Sequence, residues 1–175
     1  MRYSKVVETL LVINELRLTQ EEIAQLPVVV KTRAVLVDTE GNLVMTCERS
    51  EGNRYRHGTP GGTLEQGETY EESLYREIKE ETGYDCEIVT ELGCMDVVRK
   101  GHVSRCLFWL ARTVGGQGAL ALTEKEKAVG FECVVYSFEQ GMEMIEREYE
   151  DTKHDISQRT LVALQTTKEI LKAKK

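Results

Sequence analysis

Between Glu65 and Glu81 the chain carries seven carboxylates (Glu65, Glu68, Glu71, Glu72, Glu77, Glu80 and Glu81) against two basic residues, Arg76 and Lys79. That excess of five accounts for most of the net charge of −7. Glu77, Glu80 and Glu81 stand at i, i+3 and i+4, so on a helix they fan over roughly 100° of its surface. Like charges at that spacing repel by roughly 0.2–0.5 kcal/mol per pair. A hard divalent cation with oxygen ligands is the natural compensation. Such an ion neutralises bridging phosphates and lowers the pKa of bound water, and a glutamate can then take the proton. The competing reading is a solvated acidic helix, which binds nothing.

The elements that must position these acids are legible around them. The stretch GGTLEQGETYEESLYREIKEETGY reads as a turn followed by a helix. Gly61, Gly62 and Gly67 permit close backbone paths, Thr69 is an N-cap, and Gly83 is a C-terminal stop. Leu74 and Ile78 share one helical face, and the next position of that stripe is Glu81. A charge stands where an apolar side chain is expected.

The spacing Gly62, Glu68, Arg76-Glu77-Ile78, Glu80-Glu81, Gly83-Tyr84 resembles the Nudix box. That pattern fixes seven residue types and two apolar or aromatic positions, and this sequence meets all nine. A chance match is on the order of one in a billion per starting position. The resemblance covers roughly residues 27–150 and implies an α/β fold, the Nudix-type α/β/α sandwich with a mixed β-sheet. It further implies divalent-metal-dependent hydrolysis, with Mg²⁺ or Mn²⁺, of a diphosphate linkage in a nucleoside diphosphate joined to another moiety X. Glu77, Glu80 and Glu81 would then bind metal, with Glu77 cast as the base in some members. The backbone carbonyl of Gly61 would be a further ligand, and Glu124 or Glu126 would complete the set. Glu68 and Arg76 would form an ion pair holding the helix to its preceding loop. Many relatives carry tryptophan three residues before the proline of the PGG turn. Here His57 stands there, which puts base stacking at that position in question. The resemblance leaves X open among oxidised deoxynucleoside triphosphates, ADP-ribose, nucleotide sugars and dinucleoside polyphosphates. Two alternatives use the same fold: a nucleotide-binding regulatory module without turnover, and isomerisation of a prenyl diphosphate. The complete box counts against both.

Around the box the chain reads as strands and helices. Val28 to Val30 and Ala34 to Val37 are continuous apolar runs, as in a strand covered on both faces. Asp38 to Asn42 is a turn, and Leu43 to Cys47 returns as a partner strand. The segment SEGNRYRHGTP reads as a polar loop. Arg49, Arg54, Arg56 and His57 in and beside it are candidates for binding substrate phosphates, since guanidinium matches phosphate oxygens bidentately. Cys86 to Val98 and Val103 to Ala111 read as a hairpin closed at Arg99 to His102, with Trp109 in the core. The connection VGGQGALALTEKEKAVG is expected to hold no helix after its glycines. Phe131 to Tyr136 is a further strand. Ser137 opens a helix holding Met142, Met144 and Ile145, and a terminal helix runs from about Asp155 to Lys172. His154 reads as a surface residue. Residues 1–26 form an extension. Its Val6, Leu10, Val12, Ile13 and Leu16 lean towards strand, and Thr19 to Glu22 is a capping box. Packing, a substrate cap and a homodimer contact are the roles open to it. The expected division is 1–26, 27–150 as the hydrolase domain, and 151–175 as a helix packing on it.

A chain of 175 residues with 41% hydrophobic content can bury one real core. Its acidic balance argues against nucleic acid or anionic membrane as a partner and leaves a small nucleotide-type molecule. No apolar run is long enough to span a bilayer, and the N-terminus lacks a signal-peptide pattern. Cys47, Cys86, Cys94, Cys106 and Cys133 are odd in number and lack CxxC spacing. They read as reduced thiols in a cytoplasmic protein rather than a zinc site or disulfide frame.

Overall fold

The computed structural model describes residues 8–50 and 54–173. The expectation for Val6 lies outside them, as does the part of the polar-loop expectation that falls on residues 51–53. The elements run β1 (Thr9–Ile13), α1 (Gln20–Ala24), β2 (Val28–Val37), β3 (Leu43–Ser50), β4 (Arg54–Gly58) and α2 (Tyr70–Thr82). There follow β5 (Asp85–Arg99), β6 (His102–Val114), α3 (Glu124–Ala128), β7 (Glu132–Tyr136), α4 (Phe138–Thr152) and α5 (Asp155–Ala173). The seven strands form one sheet in the order β1-β5-β6-β2-β3-β4, with β7 paired to β3. β1 runs parallel to β5, and β2 runs parallel to β6 along its whole length. The other pairs are antiparallel, so the sheet is mixed, as expected.

Alternation along the end of β2 shows why Ala34 to Val37 are apolar without a break. Ala34 and Leu36 pack with Leu74 and Ile78 of α2 on one face of the sheet. Val35 and Val37 pack with Met142 and Ile145 of α4 and Ala163 and Leu164 of α5 on the other. A strand covered on both faces has no polar side to present. Trp109 lies in the α2-side core at 3% exposure, as its apolar setting predicts.

β2 and β4 share one edge of β3. Val44 pairs with Leu36 of β2 and with Val135 of β7, whereas Thr46 pairs with Gly58 of β4 and with Cys133 of β7. β2 and β4 therefore part from each other along that edge. The chain leaving β4 bridges the fork: Ala34 N–H donates to Pro60 O, and Thr32 N–H donates to Gly62 O.

Four expectations are corrected. Arg54 to Gly58 of SEGNRYRHGTP are a strand rather than loop, because Tyr55 pairs with Arg49 and Arg56 with Glu48 in a β-ladder. Their charged side chains sit on a strand at the sheet's edge, where they stay solvated and also discourage edge-to-edge pairing. The 115–130 connection does contain a helix, α3, opened by a Thr123–Glu126 capping box. His154 is half-buried rather than free on the surface, and its Nδ1 accepts the Ile156 N–H at 3.2 Å in the first turn of α5. His57, read as part of an exposed loop, is buried at 8% exposure.

Candidate active site

α2 is fixed at both ends by local chemistry. Thr69 accepts from Glu72 N–H while Glu72 accepts from Thr69 N–H, and the helix stops at Gly83 with φ 75°. Leu74 and Ile78 are fully buried, which drives the next residue on that stripe inward as well. Glu81 is accordingly only 7% exposed, and its Oε2 accepts the Gly61 N–H at 2.7 Å. Burial pushes the Glu81 carboxyl up to about 8, with Glu77 and Glu126 adding to the rise and Arg33 and the Gly61 N–H opposing it. Glu77 is also raised, first by burial, against the pull of Arg76. Its carboxylate lies where a side chain on Gly62 would be: a Cβ there would stand 2.2 Å from it. Only glycine lets the loop pass so close.

Arg76 gathers the surrounding acids. Its guanidinium donates to Glu68 at 2.6 and 3.0 Å, to Glu77 at 2.9 Å and to Glu80 at 3.3 Å. It also reaches Thr63 O, while Glu68 accepts the Glu65 N–H, so helix and preceding loop are tied together. The pairing with Arg76 holds Glu68 down to about 2.

Glu77, Glu81, Gly61 and Gly62 form one end of a cavity of about 720 Å³ at the fork between β2 and β4. Glu126 joins them from α3, whereas Glu124 is exposed and paired with Lys127 at 2.7 Å. The 115–122 loop delivers α3 by docking on the last turn of α2. Ala121 N–H donates to Glu80 O, Gly118 N–H to Gly83 O, and the Gln117 amide to Thr82 O. These bonds satisfy carbonyls that a helix end leaves orphaned.

A complete box, with its buried glutamate on a helix packed against a mixed sheet, points to one family. The family model described as NUDIX domain matches residues 28–156. The chain belongs to the Nudix family. Over 83 residues it is 36% identical to an 8-oxo-dGDP phosphatase of Mus musculus, a match covering 47% of this chain and 25% of that protein. Over 85 residues it is 32% identical to an ADP-ribose pyrophosphatase of Methanocaldococcus jannaschii, covering 47% of this chain and 50% of that one. The chain thus spans half or less of the length of these relatives. Among solved structures, a Nudix hydrolase from Nitrosomonas europaea superposes with TM-score 0.59 at 20% identity, covering 85% of this chain and 91% of that one. An ADP compounds hydrolase gives TM-score 0.63 at 20% identity, over 83% and 74%. These likenesses establish the Nudix fold.

Of the basic residues expected near the substrate, the Nudix cavity receives Arg56 and His57. Arg56 pairs with Glu48 at 3.4 Å. His57 has partners on both ring nitrogens, Glu148 at 3.0 Å and the Tyr136 hydroxyl at 3.3 Å. Arg54 lines an adjoining hollow with Tyr55 and His154, and Arg56 lines both. Arg49 lies alongside Gly130, away from the cavity lining. Glu80 turns to Arg76 rather than into the cavity. Among the cavity residues that escaped the sequence reading are Lys31 and Arg33 of β2, Glu48 of β3 and Lys125 of α3. The only signal for Lys31 and Arg33 was two cations inside an apolar strand. Arg33 donates to Thr59 O at 2.7 Å, bracing the turn that carries Gly61.

Proposed function

We propose that this chain hydrolyses a diphosphate linkage in a nucleoside diphosphate joined to another group, with Mg²⁺ or Mn²⁺ as cofactor. One observation carries the reading: Glu81 is a buried carboxylate at the cavity wall beside a second, half-buried carboxylate, Glu77. A group that burial pushes up to about 8 is protonated at neutral pH unless a cation joins it. The donors available are carboxylate and backbone oxygens, which suit a hard divalent ion. Among the described residues no three acidic, imidazole or thiol side chains are gathered as a metal would need. The reason is visible, since Arg76 holds the charge of Glu77 and Glu80.

In this reading Glu77 and Glu81, with the Gly61 carbonyl, would hold the ion, Glu80 would join them by turning from Arg76, and Glu126 would support them. When bound, the ion neutralises the diphosphate and lowers the pKa of water. Arg76 and Glu68 keep α2 and its loop in register, as the partners of ligands do. A glutamate of this group accepts the proton of the attacking water. Arg56 meets phosphate oxygens at the rim.

The test is a panel of nucleoside diphosphate derivatives (oxidised deoxynucleotides, ADP-ribose, nucleotide sugars and dinucleoside polyphosphates) scored for released phosphate or nucleoside monophosphate with Mg²⁺. Metal-dependent turnover of at least one is expected. Binding without turnover of any would establish a regulatory module instead.

A further inference from the structure

Basic side chains line the cavity together with the acids: Lys31, Arg33, Arg56 and Lys125. Lys31 lines it from β2, half-buried, and among the described residues its ammonium makes no ion pair or hydrogen bond. An unpaired buried ammonium is costly. Burial draws its pKa down, and Arg33, Arg159 and Arg99 draw it down further, with the Cys106 thiol opposing. Behind Lys31, Arg99 and Arg159 share one carboxylate, Asp155, each at 2.8 Å. Arg159 spends another donor on the Cys106 sulfur at 2.7 Å. Lys31, Arg99 and Arg159 set against Asp155 leave two positive charges uncompensated. Arg33, on the same strand, bonds to a carbonyl and acts on Glu81 and Glu77 instead. Of the five carboxylates that line the cavity, Glu65 is exposed and Glu126 is taken up in capping Thr123. Glu48 is paired with Arg56, and Glu77 with Arg76. Glu81 bonds to a backbone amide.

We propose that Lys31, backed by this cluster, is an anion subsite that selects substrates carrying a further phosphate beyond the diphosphate that is cleaved. The proposal rests on the hydrolase reading above and names the substrate class for it. The carboxylates of the cavity suit a metal-bound diphosphate, and the unpaired Lys31 ammonium suits a second phosphate without metal. Burial makes the Lys31 contact strong, because an ionic hydrogen bond out of water is worth more than one at the surface. Two sources share this chemistry: the terminal phosphate of a nucleoside polyphosphate, and a phosphomonoester on the distal moiety.

Two substrate pairs distinguish the sources: a nucleoside diphosphate against its triphosphate, and a nucleotide sugar with and without a phosphomonoester on the sugar. Wild type should show a KM about tenfold lower for the extra phosphate in one pair, and that pair identifies the source. Lys31→Met should abolish the preference, and Lys31→Arg should keep it. A readout independent of turnover uses tripolyphosphate with chelator present. It should raise the melting temperature of wild type and of Lys31→Arg but not of Lys31→Met. Equal KM values within both pairs, or a preference that survives Lys31→Met, would overturn the subsite. Should no substrate be cleaved at all, the hydrolase reading fails, and the tripolyphosphate melts alone decide whether the subsite exists.

Discussion

At the scale of single residues, Glu81 carries the largest consequence. Its folded-state pKa of about 8 lies above the ordinary value of 4.5. Between those values the folded chain holds a proton that the unfolded chain has lost, so without metal stability falls as pH rises. Glu81→Gln keeps an acceptor for the Gly61 N–H and removes this dependence. With chelator at pH 8 the variant should therefore melt at or above wild type. With Mg²⁺ the order should reverse, because wild type gains RT ln(1 + [L]/Kd) and the variant gains less. Hydrolysis should drop by about 10²-fold or more. Melting curves with and without Mg²⁺, beside the rates, check all three, and an unmoved wild-type curve would mark Glu81 as no ligand. Arg56 and Arg54 offer a cleaner contrast, since only Arg56 lines the cavity of the acids. Arg56→Ala should raise KM about tenfold while costing less than about 1 kcal/mol of stability, given its half-exposed pair with Glu48. Arg54→Ala should leave KM alone. Equal effects of the two changes on KM would show that the boundary between the two adjoining hollows does not matter.

At the scale of elements, the site depends on a loop gripping the end of α2. Gly83 is left-handed, and a Cβ there would stand 2.3 Å from the Gly118 carbonyl. Gly83→Ala thus pairs backbone strain with a clash against the loop that brings in Glu126. A loss of about 1–2 kcal/mol is expected from the strained conformation alone. Activity should fall further than the folded fraction does, because α3 shifts with the loop. Urea titration beside kcat at a denaturant-free, fully folded temperature separates the two effects. A variant that is less stable yet fully active would show that α3 adds nothing to the site.

At the scale of the molecule, α5 is fastened to the sheet by a buried ionic knot. Arg99 comes from the end of β5, and Asp155 and Arg159 from the first turns of α5. Burial would raise the Asp155 carboxyl, but Arg99 and Arg159 hold it below its ordinary range. A depressed carboxylate stabilises the fold above its unfolded pKa of roughly 4, and that contribution is lost as pH falls through the folded value. Asp155→Asn strands Arg159 at 7% exposure, at a cost of about 3 kcal/mol at pH 7. The gap between variant and wild type should narrow below about pH 4. Urea midpoints at pH 7 and pH 3 test this, and a constant gap would mean the knot is not ionic.

The sequence by itself determined the box helix, its capping residues, its inward glutamate and the run of strands, because those depend on neighbours three or four residues apart. Thr69, Leu74, Ile78, Glu81 and Gly83 all act within one or two helical turns, and the covered strand announced itself by lacking a polar face. The capping box at Thr123 was equally local, and the glycines beside it masked its helix. What tertiary structure alone decided is which distant groups share the cavity. Lys31 and Arg33 look like misplaced charges on a buried strand until β2 and β4 fork and open a gap beside them. Glu126 prevails over Glu124 only because the 115–122 loop docks on α2, and His57 is buried because Glu148 and Tyr136 close on it from 91 and 79 residues away. Local spacing fixes the direction of a side chain along its own element. Pairing across the sheet, which no short pattern encodes, fixes what that side chain meets.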